Sequence, residues 1–167
     1  MRCDGPGAPH HAIRRLARFA LALSALLSTP ALAALGDDVS TVAADQARFH
    51  ADLTVAQRGN YAVHQLAMPA GVRLRHFVGS NGTVFAVSWS GGWRPNLRDV
   101  MGRHYDDFIA ATRGMPLKRG VARIETHGMV VVMGGPQRAS FGHVYLTDLV
   151  PADFFSTSRD LLDGRSE

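Results

Sequence analysis

The 167-residue chain is 46% hydrophobic and 19% charged, with 18 basic against 14 acidic side chains. Four of the basic and one of the acidic residues fall within residues 1–33, leaving 14 against 13 on residues 34–167, a net charge of +1; that balance excludes the basic stripe needed to neutralise nucleic-acid phosphates. The single cysteine, Cys3, lies in the same N-terminal stretch, so residues 34–167 offer no disulfide, thiolate nucleophile or zinc-thiolate site.

Residues 1–33 have the layout of a secretory signal peptide. Arg14, Arg15 and Arg18 precede an apolar run from Phe19 to Leu27, and Ala31-Leu32-Ala33 supplies the small residues read at cleavage. Cleavage is expected after Ala33, placing the product in the periplasm or the medium. The apolar run is too short to span a bilayer, and no later stretch approaches the roughly 18 apolar residues a spanning helix needs. Ala34 follows the cleavage point where a lipoprotein needs cysteine, and residues 34–167 are the length of one domain with an ordinary core.

Val39 to Phe49 predicts a helix, with Val39, Val42, Ala43, Gln46 and Phe49 on one stripe and Asp37 or Asp38 as its cap. Ala51 to Gly59 shows no clear period. Tyr61 to Met68 alternates as a strand, and Pro69-Ala70-Gly71 turns it toward Val72 to Val78 in a register the sequence leaves open. Asn81-Gly82 then predicts a type I′ hairpin into Thr83 to Trp89. With those two residues central, Val78 faces Phe85, His76 faces Val87 and Leu74 faces Trp89. Val72, Leu74, His76, Val78, Phe85, Val87 and Trp89 then share one side, and Arg73, Arg75, Phe77, Ala86 and Ser88 the other.

A glycine-rich bend, Ser90 to Pro95, leads to a second helix capped by Asn96, with Leu97, Val100, Met101, Tyr105 and Phe108 on its apolar stripe. Gly102 interrupts it, as if to admit another backbone, and Gly114 and Pro116 end it. Val121 to Thr126, Met129 to Met133 and Arg138 to Leu146 predict three more strands, and Phe154, Phe155, Leu161 and Leu162 pin a tail or short helix to the core. The expected architecture is α+β: an antiparallel sheet of about six strands in two three-strand meanders, with an N-terminal and a central helix packed on it.

Several stretches together resemble the DUF2844 family of exported proteobacterial proteins, which has no assigned function. They are Ala34-Leu35-Gly36, Tyr61-x-Val63-His64, Gly82-x-Val84-Phe85-Ala86-Val87-x-Trp89, Pro95-x-Leu97 into Val100-Met101-Gly102, and Gly135-x-x-Arg138-Ala139 with Gly142 and Tyr145. The resemblance implies export and a shared fold, and carries no activity. His76 stands where the family pattern implies an acidic residue, Asn96 where it implies Asp, and His104 where it implies an aromatic.

No catalytic motif emerges. Ser88-Trp89-Ser90-Gly91-Gly92 is not a nucleophile elbow, and Gly91-Gly92 and Gly134-Gly135 lack the spacing of a phosphate loop. His104 and Asp107 form H-x-x-D, two ligands where a metal site needs about four, so no metal or cofactor is expected. His76 is expected opposite Val63 or Tyr61, with His64 on the other face near Arg75. Two readings follow. In one, a non-enzymatic module binds an envelope protein or a small ligand through Trp93 and Arg94, whose aromatic face and cation share the bend, or through an edge strand. In the other, a small hydrolase or metal-dependent enzyme uses His64, His76 and His104, which requires those histidines to converge with a carboxylate.

Overall fold

The computed structural model describes Met1 and residues 35–69, 71–115, 120–136 and 138–157. Among them, seven strands form one antiparallel sheet: β1 Asp52–Arg58, β2 Tyr61–Ala67, β3 Arg73–Gly79, β4 Val84–Gly91, β5 Ala122–Thr126, β6 Met129–Gly134 and β7 Ser140–Leu146, in the order β1-β2-β3-β4-β7-β6-β5. A four-strand and a three-strand meander are thus joined by antiparallel pairing of β4 with β7. The additional strand is β1, which the sequence conceals. As an edge strand with only Leu53 partly covered, it has no buried face to impose alternation. The expected signal segment, its cleavage point, Pro116, Leu161 and Leu162 lie outside the described residues.

Two loops of the same construction set the central register. In the first, the Met68 N–H donates to the Val72 carbonyl at 2.9 Å and the Gly71 N–H to the Met68 carbonyl at 3.0 Å. Residues 69–71 are therefore a three-residue loop with Pro69 at the first turn position, where its fixed φ is suited, and Gly71 left-handed at φ +73°. Ser80-Asn81-Gly82 repeats it: the Gly79 N–H donates to Thr83 O and the Gly82 N–H to Gly79 O, both at 2.9 Å. Only Gly82, at φ +79°, is left-handed there, while Asn81 Oδ1 accepts from the Thr83 N–H. The expected two-residue type I′ turn is thereby corrected.

The longer loop moves the pairing by one residue, to Val78 with Val84. Phe85 is then an extra, unpaired residue, and from Phe77–Ala86 outward the expected pairs His76–Val87 and Leu74–Trp89 return. Two one-residue departures cancel. Their lasting effect is that Phe85, expected on the near face, joins Phe77 and Ala86 on the far face, while Val84 lies on the near one.

Helices cover the near face. Helix α1 (Ser40–Phe49) starts after Asp38, whose Oδ1 accepts from the Ser40 N–H at 2.9 Å, and its approach is tied to the hairpin by Val39 N–H to Gly82 O and Val84 N–H to Asp37 O. The Asp38 carboxyl is held below its usual range by those Ser40 hydrogen bonds. The central segment is α2 (Leu97–Met101), a 3₁₀ turn Gly102–His104, and α3 (Tyr105–Thr112), with Asn96 Oδ1 accepting from the Arg98 N–H as the expected cap. Gly102 has φ +53°. Its conformation divides what the periodicity reads as one helix, and its positive φ calls for glycine.

Leu35, Val42, Val100, Met101 and Phe108 pack with Leu66, Leu74, Val87, Trp89, Val131 and Val144 into the main core. A second core lies on the far face, where α4 (Phe154–Thr157) brings Phe154 against Tyr61, Phe77 and Phe85 with ring centroids 5.0–6.4 Å apart. Trp89 is 1% exposed, and its indole lies across Gly142 of β7, where a Cβ would collide with the ring and approach Val132 O.

Trp89→Ala is therefore expected to cost about 3–5 kcal/mol and Gly142→Ala about 1–3 kcal/mol through overpacking. Trp93→Ala, in the bend, should cost less than about 1 kcal/mol. Urea melts of the three variants check the assignment, and equal losses at Trp89 and Trp93 would refute it.

Candidate functional site

The bend after β4 passes close to the β2–β3 loop. A Cβ on Gly91 would meet Gly71 O and Val72 Cα, so this position, at φ +133°, admits glycine alone without displacing the loop. The chain then turns through Gly92 and sets Trp93, 39% exposed, beside Met68. Opposite stands the last half of α1. Between them is a groove of about 220 Å³ lined by Phe49, Met68, Leu74, Trp93, Pro95 and Val100, with Asp45, Arg48, Asn96 and Asp99 as its polar groups.

Charge is unevenly placed there. Arg48 of α1 reaches Asp99 of α2 at 3.5 Å across the groove, both side chains being partly exposed. Asp45 is only 3% exposed, and its Oδ2 lies 3.7 Å from Nε2 of the fully buried His76. The lining carries two carboxylates, Asp45 and Asp99, and one guanidinium, Arg48, with the His76 imidazole behind Asp45. Taking ions out of water is costly, so a buried carboxylate persists only beside compensating groups.

The β2–β3 loop decides which histidines meet. His64 pairs directly with His76, and both lie on the helix-covered face. The expectation that His76 faces Val63 or Tyr61 is corrected, as is the placing of His64 with Arg75. Arg75 lies on the far face and donates from Nε to Gln65 Oε1 at 2.8 Å, its pKa lowered by burial and by Arg73. The geometry thus gives His76 two neighbours, His64 across the strand pair and Asp45 from α1. His104 is not among the groove residues; it lies against Gly36 and accepts at Nε2 from Arg103 Nε at 3.3 Å. Arg94 is exposed and also outside the lining. Among the described residues, no three His, Cys, Asp or Glu side chains are grouped to hold a metal ion.

Sequence reasoning missed Asp45, Arg48, Phe49 and Asp99 as a set. One signal was available: Asp45 lies three residues after Val42 and four before Phe49, on the stripe that α1 buries. A carboxylate in that position marks a polar partner across the interface.

A family model described as "Protein of unknown function (DUF2844)" matches residues 31–158. No curated protein and no solved structure matches the chain.

Burial lowers the pKa of His64; burial and then Arg103 lower that of His104, against smaller opposing effects of Asp107 and Asp37. Between the folded values and the ordinary histidine value of about 6.5, the unfolded chain binds more protons, so stability rises with pH across that window. The melting temperature is expected to fall on acidification from about pH 7.5 to about pH 5. Replacing both histidines with Gln should flatten that dependence; an unchanged slope in the folded double variant would refute it.

Proposed function

The chain belongs to the DUF2844 family, and we propose that it is an exported, non-enzymatic binding module whose groove takes one ring-sized apolar group against Trp93. The groove is the observation that carries this reading. Ligand sites are concave and mostly apolar with a few placed polar groups, and this concavity combines an exposed indole, a phenyl ring and four further apolar side chains with Asp45, Asn96 and the Arg48–Asp99 pair. At about 220 Å³ it is smaller than the roughly 300–1,000 Å³ of drug-sized pockets. That size suits a small ring compound or a single side chain of an envelope partner protein. Two carboxylates at the lining favour a neutral or cationic group over an anion, and Arg94 at the exposed bend is left to meet an anionic group outside it. The arginine-led, alanine-terminated segment 1–33 supports export.

A hydrolase is the second reading, favoured by one observation: a carboxylate does close on one of two paired histidines. His76 is fully buried, however, and a general base must reach the proton it abstracts. Asp45 is the member of the cluster that borders the groove. Turnover of an envelope substrate that is lost in folded His76→Gln protein would establish the catalytic reading instead.

The binding reading is tested with fragment-sized probes. In amide-resolved NMR titrations, phenethylamine is expected to shift Trp93, Phe49 and Met68, and benzoate to bind at least tenfold more weakly. Trp93→Ala should weaken phenethylamine at least tenfold, about 1.4 kcal/mol, with the melting transition almost unchanged. Equal binding by a folded Trp93→Ala protein would eliminate the groove.

A further inference from the structure

The two edges of the sheet are guarded differently. At one edge, β5 is five residues long, carries Arg123 and Glu125 paired at 2.7 Å, and has α3 packed near it. At the other, β1 runs for seven residues in regular register with β2 and has no second strand neighbour among the described residues. Six of its seven residues are exposed, Val55 at 51%. Natural edges are protected by proline, bulges, central charges or short length. In β1 the interior Leu53-Thr54-Val55-Ala56-Gln57 has none of these, and the charges stand only at the ends, as Asp52 and Arg58.

We propose that β1 is an interface with a second copy of this chain, the two strands pairing antiparallel about a two-fold axis through Val55. The charge pattern selects this occupant. In that register Asp52 stands opposite the partner's Arg58 and Arg58 opposite the partner's Asp52, on the same face of the sheet, while Val55 meets the partner's Val55. Opposite charges directly across a strand pair stabilise it and like charges destabilise it. Parallel in-register pairing would set aspartate against aspartate and arginine against arginine. A two-fold contact must be complementary to itself, and β1 is so at all three of these positions. Alternate residues of β1 turn their N–H and C=O groups away from β2 and supply the hydrogen bonds, and the pairing extends the seven-stranded sheet into one of fourteen. The contact is small beside the roughly 1,600 Å² of a standard interface, so association is weak, between about 10 μM and about 1 mM.

Sedimentation equilibrium of the purified protein over about 10 μM to about 1 mM tests this. Wild type is expected to pass from monomer to dimer. Asp52→Arg alone and Arg58→Asp alone each set like charges opposite one another at both ends and should weaken self-association at least tenfold. An equimolar mixture of the two restores opposite charges at both ends and should recover the dimer. Val55→Lys, placing two ammonium groups across the axis, should abolish it without any charge reversal at the ends. Circular dichroism checks that each variant is folded, which is expected since the altered side chains are exposed. A wild type that stays monomeric throughout, including one that captures only an unrelated peptide along β1, would overturn the proposal. So would a dimer indifferent to the single reversals, or a mixture of folded variants that stays monomeric.

Discussion

A left-handed glycine at the end of each central loop, Gly71 and Gly82, decides which side chains of β2, β3 and β4 meet. Because side chains alternate along a strand, one residue more or less in a loop sends a whole set to the opposite face. The first loop sets His64 beside His76 and sends Arg75 to Gln65 on the other side. The second shifts the hairpin by one residue, and the unpaired Phe85 shifts it back. That compensation allows both faces to be apolar: Val84 remains beneath the helices, and Phe85 is released to the aromatic cluster closed by Phe154.

The groove is a consequence of the same loops. Gly91 passes against Gly71 and Val72 with no room for a side chain, which brings the bend carrying Trp93 down onto the end of the β2–β3 hairpin. Helix α1 is held over the same strands by the ties of residues 36–39 to the β3–β4 hairpin. The packed core and the groove are therefore continuous, sharing Met68, Leu74 and Val100. Asp45 connects them chemically. It borders the groove and contacts a histidine that solvent does not reach, so the electrostatics of the groove and the packing of α1 on the sheet depend on one another.

Trp89 and Gly142 perform the corresponding task between the two meanders. The β4–β7 pairing alone would join them through backbone hydrogen bonds, but the indole lying across a glycine locks that junction by shape. A close-packed interior has few voids, so a large ring on one strand requires the smallest residue beneath it on the next. The outer strands carry fewer such demands, and β1, with one side open and nearly every residue exposed, carries almost none.

The sequence by itself determined what depends on short range. Tyr61 to Met68 and Met129 to Met133 read as strands because their apolar side chains feed the two cores, Leu66, Met129 and Val131 on one face and Tyr61, Val63 and Val130 on the other, Asn96 caps its helix through its own side chain, and Trp89 follows the apolar parity of its strand. Family membership was legible in the same stretches. Tertiary structure alone decided the rest. An edge strand has no buried face to imprint a pattern on residues 52–58, so β1 was invisible. Asn-Gly is compatible with two- and three-residue loops alike, and the choice rests on whether Phe85 has an aromatic cluster to enter. The groove draws on α1, the β2–β3 hairpin, the bend and α2, and no spacing along the chain records that Asp45 and His76, thirty-one residues apart, come within 3.7 Å. Periodicity reports which side of an element is buried; what it is buried against is fixed only when the elements pack.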